Sequence, residues 1–328
     1  MKTVIINAHV VDSRNIGDLA SSPLHYFKFN YPVETLDIRS IDPNFTEPKS
    51  GFGGSITLEE IKQNAGKVKY HLIVGGGGLL FNPFLGSFKA MENLKSLFNG
   101  NWVSWGVGQQ IYSAGGKNGQ TLLENLEQDK NKFDYLSYLK YFDLIGIRDT
   151  GFNYDWLPCA SCMHPAFDRK REIKHDVVVF SHRKYQVKIG NLPRMTHDTQ
   201  NLEQVLDFLG SGETIITSSY HGAYWGTLLG RKVIAFPFST KFVTLKHSPY
   251  LYSVVRWKKS GIKFRPFKTT FLNKINLEFR YGNYLFCSTD NWEDLINECP
   301  TYPHILDEYR QANRTFYKKT LELFGNTN

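Results

Sequence analysis

The sequence has few cysteines and no long apolar segment. Its four cysteines are too few and too scattered along 328 residues to form a disulfide framework. No apolar run reaches the ~18 residues of a membrane-spanning helix, and the apolar residues 3–6 are too few for the core of a signal peptide. We therefore expect a cytoplasmic protein, which could touch the inner face of the membrane only peripherally.

Several signatures of ligand-binding proteins are also missing. The sequence contains neither the Gly-x-x-x-x-Gly-Lys-Ser/Thr loop of nucleoside triphosphatases nor the Gly-x-Gly-x-x-Gly fingerprint of dinucleotide-binding folds. Cys159, Cys162 and His164 make up half of a zinc-binding spacing, but no second pair follows at the distance of a zinc finger. We predict no metal and no resident cofactor.

The composition is that of a folded protein with an uneven charge distribution. Hydrophobic residues make up 41% and charged residues 21% of the chain, a balance typical of globular domains, and the length suits two of them. The net charge is +8, and all of the basic excess lies after residue 150. Residues 231–280 contain twelve Lys or Arg, one acidic residue and several aromatic residues. This stretch should attract an anion or an anionic surface.

Short apolar runs alternate with helical periodicity, and this βαβ pattern occurs twice. The first series has strand-like runs at 4–6, 72–74, 102–105 and 144–147, with helical spacing at 58–65, 88–98 and 133–141. The second has runs at 176–180, 214–217 and 233–236, with helical spacing at 201–209, 223–229 and 303–324. We predict an α/β fold in which two Rossmann-like domains, residues 1–170 and 171–328, surround a cleft and a helix ends the chain. Residues 155–171, rich in Pro, Cys and charge, are interpreted as the linker.

The strongest local motif is a strand that runs into four glycines, residues 75–78. Free N–H groups in such a loop can hold a phosphate or a carboxylate, although a tight turn is the alternative. Two further glycine loops follow strands, at 15–18 and 106–109. In them, Asp18 could accept a hydrogen bond from a hydroxyl or cap a helix, and Gln109 could bind a sugar. Three glycine loops at one edge of a sheet predict one cleft.

A polar turn in the second half of the chain contains the candidate general acid. Residues 218–222, Ser-Ser-Tyr-His-Gly, follow a strand and precede a helix, so His221 would stand at a helix N-terminus. There it could donate or accept a proton. A histidine that only caps or packs is the alternative, but the neighbouring Ser218, Ser219 and Gly222 make the site polar.

Four cations are candidates for binding an anionic donor or positioning its acceptor. Arg183 and Lys184 follow a strand, Lys241 lies in the basic stretch, and Arg148 either binds a ligand or forms a structural pair with Asp149. The predicted donor side comprises Arg183, Lys184, Ser218, Ser219, Gly222 and Lys241. The predicted acceptor side comprises Asn15, Gly17, Asp18, Gly76, Gly77, Gly78, Gly108, Gln109 and Arg148.

In this order, the motifs resemble the series found in the polysaccharide pyruvyl transferase family, over about residues 10–245. The resemblance implies a GT-B-like fold and transfer of pyruvate from phosphoenolpyruvate, as co-substrate, onto a sugar of a polysaccharide or its lipid-linked precursor, which forms a ketal. It implies that His221 is the catalytic histidine, that residues 75–78 form the glycine-rich turn and that residues 148–149 form the Arg-Asp element. Many members have arginine where this chain has Ser219, so Arg183 or a lysine of residues 231–280 would have to supply that charge.

Two other functions fit parts of the sequence. A GT-B glycosyltransferase would bind a nucleotide sugar on the same fold, with His221 against the diphosphate. A non-catalytic protein would bind nucleic acid or an anionic membrane through the basic stretch in a salt-dependent way. The glycine loops would have no role in such a protein, so we favour an enzyme with a glycan or lipid-linked glycan acceptor and no nucleic-acid partner.

Overall fold

The computed structural model describes residues 1–11, 15–45, 54–199, 201–252, 256–268, 275–286 and 292–325. For 260–268 and 275–286 only the backbone is considered. Residues 269–274 of the basic stretch and Cys287 therefore lie outside the described residues. In the described part of the chain, no helix has both the length and the apolar character needed to cross a bilayer.

The first half of the chain builds a six-stranded sheet with the order β2-β1-β3-β4-β5-β6. Every strand pair in it is parallel. Buried parallel strands are apolar on both faces, which is why continuous apolar runs predicted them. The elements are β1 Lys2–His9, α1 Ile16–Leu19, β2 Val33–Asp37, α2 Leu58–Gln63, β3 Val68–Leu80, α3 Asn82–Asn93, β4 Trp102–Gln109, α4 Leu122–Asn131, α5 Leu136–Leu139, β5 Leu144–Ile147 and β6 Asp155–Trp156.

The second half builds a parallel five-stranded sheet with the order β12-β11-β10-β7-β9 and a three-stranded sheet, β13-β14-β8. The predicted α/β class, with two parallel sheets and a terminal helix, is confirmed; its division into two Rossmann-like domains around a cleft stays a prediction. The elements are β7 His175–Ser181, β8 Tyr185–Val187, β9 Arg194–Thr196, α6 Leu202–Gly210, β10 Gly212–Thr217, α7 Tyr220–Leu228, β11 Lys232–Ala235, β12 Tyr250–Leu251, β13 Lys258–Lys268, β14 Ile275–Phe286 and α8 Ile305–Phe324. Short 3₁₀ helices cover Pro23–His25, Ile38–Ile41, Ala160–Met163, Pro165–Asp168, Thr240–Phe242 and Asp294–Glu298.

Strand β3 continues through its glycines instead of ending before them. Gly76 and Gly77 have φ angles of +84° and +85°, which favour glycine, and the pairing with β4 shifts register between Gly77 and Leu80. A Cβ on Gly76 would lie 2.1 Å from the backbone oxygen of Ser21. The glycines therefore form a bulged strand end that packs closely on the backbone of residues 20–22.

In each parallel sheet, the connections that leave two neighbouring strands run to opposite sides of the sheet. Strand β1 lies between β2 and β3, so the connections that leave β1 and β3 run to opposite sides. Strand β7 lies between β9 and β10, with the same consequence. Such a switch point leaves a crevice beyond the carboxyl ends of the strands, which is where open α/β sheets bind ligands.

Two of the three apolar clusters among the described residues contain residues from both halves of the chain. Cys159 and Cys162 in the predicted linker have no exposed surface and belong to the apolar cluster around β7 and β10, so the linker is a packed segment. Helix α8 returns to the first sheet, where Asn313 Oδ1 accepts a hydrogen bond from Trp105 Nε1 at 3.0 Å. Phe316 packs edge-on against the same Trp105 ring. Helix α8 therefore packs the end of the chain against the first half.

Candidate functional site

A cavity of about 790 Å³ opens at the carboxyl ends of both parallel sheets. Backbone hydrogen bonds join the two halves beside it, from Ile16 N to His197 O and from Ser113 N to Phe238 O. The lining residues are His9, Val10, Asn15, Asp18, Gly76, Gly77, Gly78, Leu79, Phe81, Pro83, Phe84, Gln110, Tyr112, Arg148, His182, Arg183, Lys184, Tyr185, His197, Asp198, Tyr220, His221 and Lys241. Both halves of the chain thus contribute to one site.

Two buried cations, Arg148 and Lys241, lie in the cavity wall. Arg148 is 3% exposed, and neither its Nε nor its Nη2 has a hydrogen-bond partner among the described residues. Its guanidinium lies over the Tyr220 ring, 4.1 Å from the ring centre. Lys241 is 8% exposed and donates to Gln110 Oε1 at 3.3 Å. A buried charge is costly without a partner, so an anion bound between these two side chains would offset that cost.

The buried setting lowers the proton affinity of Lys241. Burial and the nearby Arg148 charge lower the pKa of Lys241 to about 7. An anion bound between the two side chains would raise that pKa again, because it favours the charged ammonium. Binding of an anion there would therefore be accompanied by proton uptake at Lys241 near neutral pH.

His221 stands in the first turn of α7, as expected, although the helix begins at Tyr220 instead of residue 223. Burial lowers the pKa of His221 well below its usual value, and Arg148, Lys241 and His197 lower it further. The imidazole is therefore neutral in the ligand-free protein at pH 7. A polyanionic ligand beside Arg148 and Lys241 would favour the imidazolium.

Two glycines make room for the side chains that carry this chemistry. A Cβ on Gly17 would lie 1.9 Å from His221 Nδ1, and a Cβ on Gly108 would lie 2.3 Å from Arg148 Nε. Neither glycine is part of the cavity wall. Both were predicted to belong to the acceptor side, whereas in the structure Gly17 lies against His221 and Gly108 lies against Arg148.

Three more histidines line the cavity. The rings of His182 and His197 lie 4.6 Å apart between their centres. Burial, their mutual repulsion and Lys241 lower the pKa of His182, and burial lowers that of His197 to about 4. Burial likewise lowers the pKa of His9, which is 4% exposed. These neutral rings offer hydrogen bonds without adding positive charge, and in the described residues no group of three or more His, Cys, Asp or Glu side chains is arranged to hold a metal ion.

Exposed charges lie at the rim of the cavity. Arg183 and Lys184 follow β7, and Arg183 lies 3.9 Å from Asp198 with about half of its side chain exposed. With Asp18, Asp198 is one of two acidic residues in the wall, against the four cations Arg148, Arg183, Lys184 and Lys241. The wall therefore has a net positive charge.

Two tyrosines of the cavity wall, Tyr112 and Tyr185, stack on the buried ring of Phe238. The rings of Tyr185 and Phe238 are stacked, with 3.8 Å between centres and an interplanar angle of 2°. Tyr112 lies nearly parallel to Phe238, at 10°, and is 45% exposed. This exposed flat ring is suited to stacking against a planar base or the apolar face of a sugar.

The structure brings together most of the residues that the sequence proposed. Those in the cavity wall are Asn15, Asp18, Gly76, Gly77, Gly78, Arg148, Arg183, Lys184, His221 and Lys241. Asn15 also caps α1 by accepting a hydrogen bond from Gly17 N. Arg148 and its neighbour Asp149 attract each other but make no direct hydrogen bond: Asp149 turns into the body of the protein, where it accepts hydrogen bonds from Gln109 N, Tyr135 OH and Thr244 Oγ1.

Four other proposed residues lie outside the cavity wall. Ser218 donates to Tyr185 O and accepts from His182 N. Ser219 caps α7 by accepting from Gly222 N, and a Cβ on Gly222 would lie 2.4 Å from Thr217 Oγ1. The Gln109 amide is fully buried and donates to Lys130 O and Tyr135 OH. These residues shape the loops, and Gln109 is not available to a sugar.

Sequence reasoning missed several cavity residues. His9 is the last residue of β1, so the rule that placed the glycine loops at strand ends would also have placed His9 there. Gln110 and Tyr112 follow β4 in the same way. His197 follows β9, a strand of three residues, which is too short to show any periodicity.

Comparison with known proteins gives no family assignment. No family model matches the chain, and no curated protein matches it. Among solved structures, it is similar to an α-glucosyltransferase in complex with UDP and a 13-mer DNA containing an HMU base, with 9% identity, a TM-score of 0.36 and coverage of 71% of this chain and 79% of that chain. An α-glucosyltransferase (AGT) in complex with UDP has 10% identity, a TM-score of 0.37 and coverage of 72% and 80%. Likeness at this level assigns no function to the chain.

Proposed function

We propose that the chain is a transferase that binds a compact phosphorylated anion beside His221 and passes part of it to a sugar hydroxyl. The observation that supports this most is the pair of buried cations, Arg148 and Lys241, which have no ion-pair partner among the described residues. Burying two such charges beside a histidine costs stability, and a bound polyanion would offset that cost. The donor we propose is phosphoenolpyruvate.

Phosphoenolpyruvate matches the chemistry of the buried site. It has a phosphate and a carboxylate attached to the same carbon, and a guanidinium fork binds either group in a bidentate way. Lys241 would supply the second charge, which in many pyruvyl transferases comes from the arginine two residues before the histidine. In this chain Ser219 holds that position and caps α7. Arg183 and Lys184 at the rim would attract the anion from solution.

The reaction needs a proton donor at the methylene carbon of the bound donor. The His221 imidazolium, formed when the polyanion binds, would give its proton to that carbon. A sugar hydroxyl oxygen would then bond to the central carbon and return its proton to His221. A second hydroxyl of the same sugar would displace the phosphate, which leaves with the second proton. The products are a cyclic ketal and inorganic phosphate, and Arg148 and Lys241 would stabilise the negative charge on the leaving group.

The acceptor would enter from the side of the first sheet. Asn15 and Asp18 lie in the cavity wall beside Gly76, Gly77 and Gly78, and such polar groups hydrogen-bond to sugar hydroxyls. The cavity is larger than the compact donor requires, which leaves space for a sugar. An acceptor that is part of a polysaccharide or of its lipid-linked precursor could extend out of the open side.

One observation favours a second function, a nucleotide-sugar glycosyltransferase of the GT-B type. The exposed ring of Tyr112, parallel to Phe238, would stack on a nucleobase, and Arg148 and Lys241 would then hold the diphosphate. In that reaction His221 would contact the diphosphate without protonating carbon. The two functions differ in the donor that is consumed.

Phosphate release distinguishes them. The purified protein is incubated with phosphoenolpyruvate and a panel of free sugars, oligosaccharides and lipid-linked glycans, and inorganic phosphate and the mass of the acceptor are measured. We expect acceptor-dependent phosphate release, a kcat that falls by about 10²- to 10⁴-fold in His221→Gln, and weaker binding of the donor in Arg148→Gln. If the protein consumes a UDP-, GDP- or CMP-sugar and does not use phosphoenolpyruvate, its function is glycosyl transfer and not pyruvyl transfer.

A further inference from the structure

The wall behind His221 contains a buried thiol. Cys159 Sγ lies 3.7 Å from His221 Nε2, and Cys159 has no exposed surface. His221 itself lines the cavity, whereas Cys159 does not. Of the two ring nitrogens, Nε2 is therefore turned to the core. Nδ1, beside Gly17, has no hydrogen-bond partner among the described residues and yet is not a fully buried atom, so it is the nitrogen left for a ligand.

The hydrogen bonds behind Cys159 have a direction that can be derived. An indole N–H can only donate, so Trp225 Nε1 donates to Ser161 Oγ, at 2.9 Å. Ser161 is fully buried, and its only other side-chain contact among the described residues is Cys159 Sγ, at 3.2 Å. Its hydroxyl hydrogen must then point at the sulphur, because buried donors are rarely left unpaired. The thiol hydrogen is thereby directed to His221 Nε2.

We infer that Cys159 is a positioning residue, whose thiol donates to Nε2 of neutral His221 and so places the ring hydrogen on Nδ1, the nitrogen that serves the reaction. This deepens the proposed function, on which it rests only for the role of His221 in proton transfer. Burial raises the pKa of the Cys159 thiol, which keeps its hydrogen in place at neutral pH. The thiol is thus a donor to His221 and not a nucleophile.

A thiol suits this position because it can both donate and accept. In the imidazolium, Nε2 carries a hydrogen and would donate to Cys159 Sγ, which also keeps the hydrogen bond from Ser161 Oγ, and only the weak thiol donor turns away from the ring. The ring then keeps one orientation in both protonation states. After Nδ1 gives its proton to the donor carbon, the remaining hydrogen is on Nε2, and bare Nδ1 faces the acceptor hydroxyl.

The tautomer can be measured without any substrate. The full chain is prepared with ¹⁵N-labelled histidine, and the signals of His221 are assigned by their loss in His221→Gln. In the ligand-free protein at pH 7 we expect long-range ¹H–¹⁵N correlations of the Nδ1–H tautomer. In Cys159→Ala the donor is gone, and we expect the Nε2–H tautomer to become populated. An Nε2–H tautomer in the unaltered protein, or no change in Cys159→Ala, would overturn the inference.

A neighbouring cysteine provides the control for packing. Cys162 is equally buried, but it contacts Asn313 and not His221. Cys162→Ala should leave the His221 tautomer unchanged, and an equal change in both variants would mean that core packing and not the thiol orients the ring. Cys159→Ser retains a donor on a shorter bond and should restore part of the Nδ1–H population.

Kinetics add a second readout once a donor is known. Cys159→Ala should lower kcat by roughly 10- to 100-fold, as loss of partners that orient a histidine commonly does, and shift the pH profile of kcat with little change in KM. A change in the KM of Cys159→Ala with an unchanged pH profile of kcat would contradict a role through His221. If the tautomer responds as expected but phosphoenolpyruvate is not used, the positioning role stands and the proposed donor fails.

Discussion

Gly17 and His221 meet across the two halves of the chain: a Cβ on Gly17 would lie 1.9 Å from Nδ1 of the imidazole. Gly17 belongs to α1, the short helix that follows β1, and His221 belongs to the first turn of α7. The position of the histidine in the cavity therefore depends on the absence of a side chain in the other half. This contact links the glycine loop to the proposed acid.

The first prediction concerns that contact. Gly17→Ala should displace the His221 ring and lower kcat by about 100-fold or more, since general acid catalysis is worth about 10²- to 10⁴-fold. Steady-state kinetics on the folded variant measure the effect. As a control, Gly119→Ala introduces a Cβ at a φ of +80° with no atom within 4 Å; it should cost stability through backbone strain but leave kcat unchanged. If Gly17→Ala is as active as the unaltered protein, the contact with Gly17 does not determine the position of His221.

The second prediction is a pH dependence of anion binding. Because burial and Arg148 lower the pKa of Lys241 to about 7, the ammonium that attracts the donor is lost as the pH rises above that value. The Kd for phosphoenolpyruvate should therefore rise by up to about tenfold for each pH unit above 7, until the pKa of the complex is reached. Calorimetry in two buffers of different ionisation enthalpy would record proton uptake on binding.

Lys241→Arg tests the cause of that dependence. A guanidinium stays charged at these pH values, so the Kd of this variant should be nearly flat between pH 7 and 9. A slope that persists in Lys241→Arg would assign the pH dependence to another group.

The third prediction is that Lys241 lowers the stability of the fold although anion binding requires it. A lysine whose pKa is about 7 in the folded protein and about 10.4 in the unfolded chain destabilises the fold below pH 7, and the stability recovers as the pH rises from 7 towards 10. Lys241→Met should raise the free energy of unfolding by about 1–2 kcal/mol at pH 7 and abolish anion binding. Denaturant unfolding measures this. Lys184→Met, at the exposed rim, should change stability by less than about 0.5 kcal/mol.

The fourth prediction separates Arg148 from its neighbour. Asp149 is 2% exposed and accepts three hydrogen bonds, so Asp149→Asn should turn an amide N–H₂ towards a donor and cost about 2–4 kcal/mol of stability. Arg148→Gln should retain stability but lose donor affinity. Thermal melts and ligand titrations of both variants check the contrast; loss of affinity with full stability in Asp149→Asn would place the carboxylate in the site instead.

The sequence was sufficient to predict the central strands of the two parallel sheets and the edge where the site lies, but not their edge strands or the three-stranded sheet. Parallel strands buried on both faces are continuous apolar runs, and their carboxyl ends meet at one edge, so the loops at residues 15–18 and 75–78 could be placed together. The capping box of α4, Thr121 with Glu124, was also present in the sequence, but the helix between 120 and 132 was not predicted. The apolar residues of this helix recur with a periodicity too weak to predict it.

The roles of single residues in the loops could not be predicted, because they depend on contacts between residues that are far apart in the sequence. Gly108 and Gly17 look alike in sequence to glycines that touch a ligand, yet they accommodate Arg148 and His221. Gln109 resembles a sugar-binding residue, but its amide is bonded to Tyr135 in the core. Lys241 was one of twelve cations in residues 231–280, and only its burial beside Gln110 distinguishes it.

The most direct test of the account is the thermal stabilisation of the protein by phosphoenolpyruvate, compared with UDP-glucose, in the unaltered chain and in Arg148→Gln. A ligand that binds only the folded state at about 100 times its Kd adds about 2.7 kcal/mol of stability. We expect a rise in Tm with phosphoenolpyruvate that disappears in Arg148→Gln, and a smaller effect of UDP-glucose. A rise with UDP-glucose alone, or a rise with phosphoenolpyruvate that persists in Arg148→Gln, would contradict it.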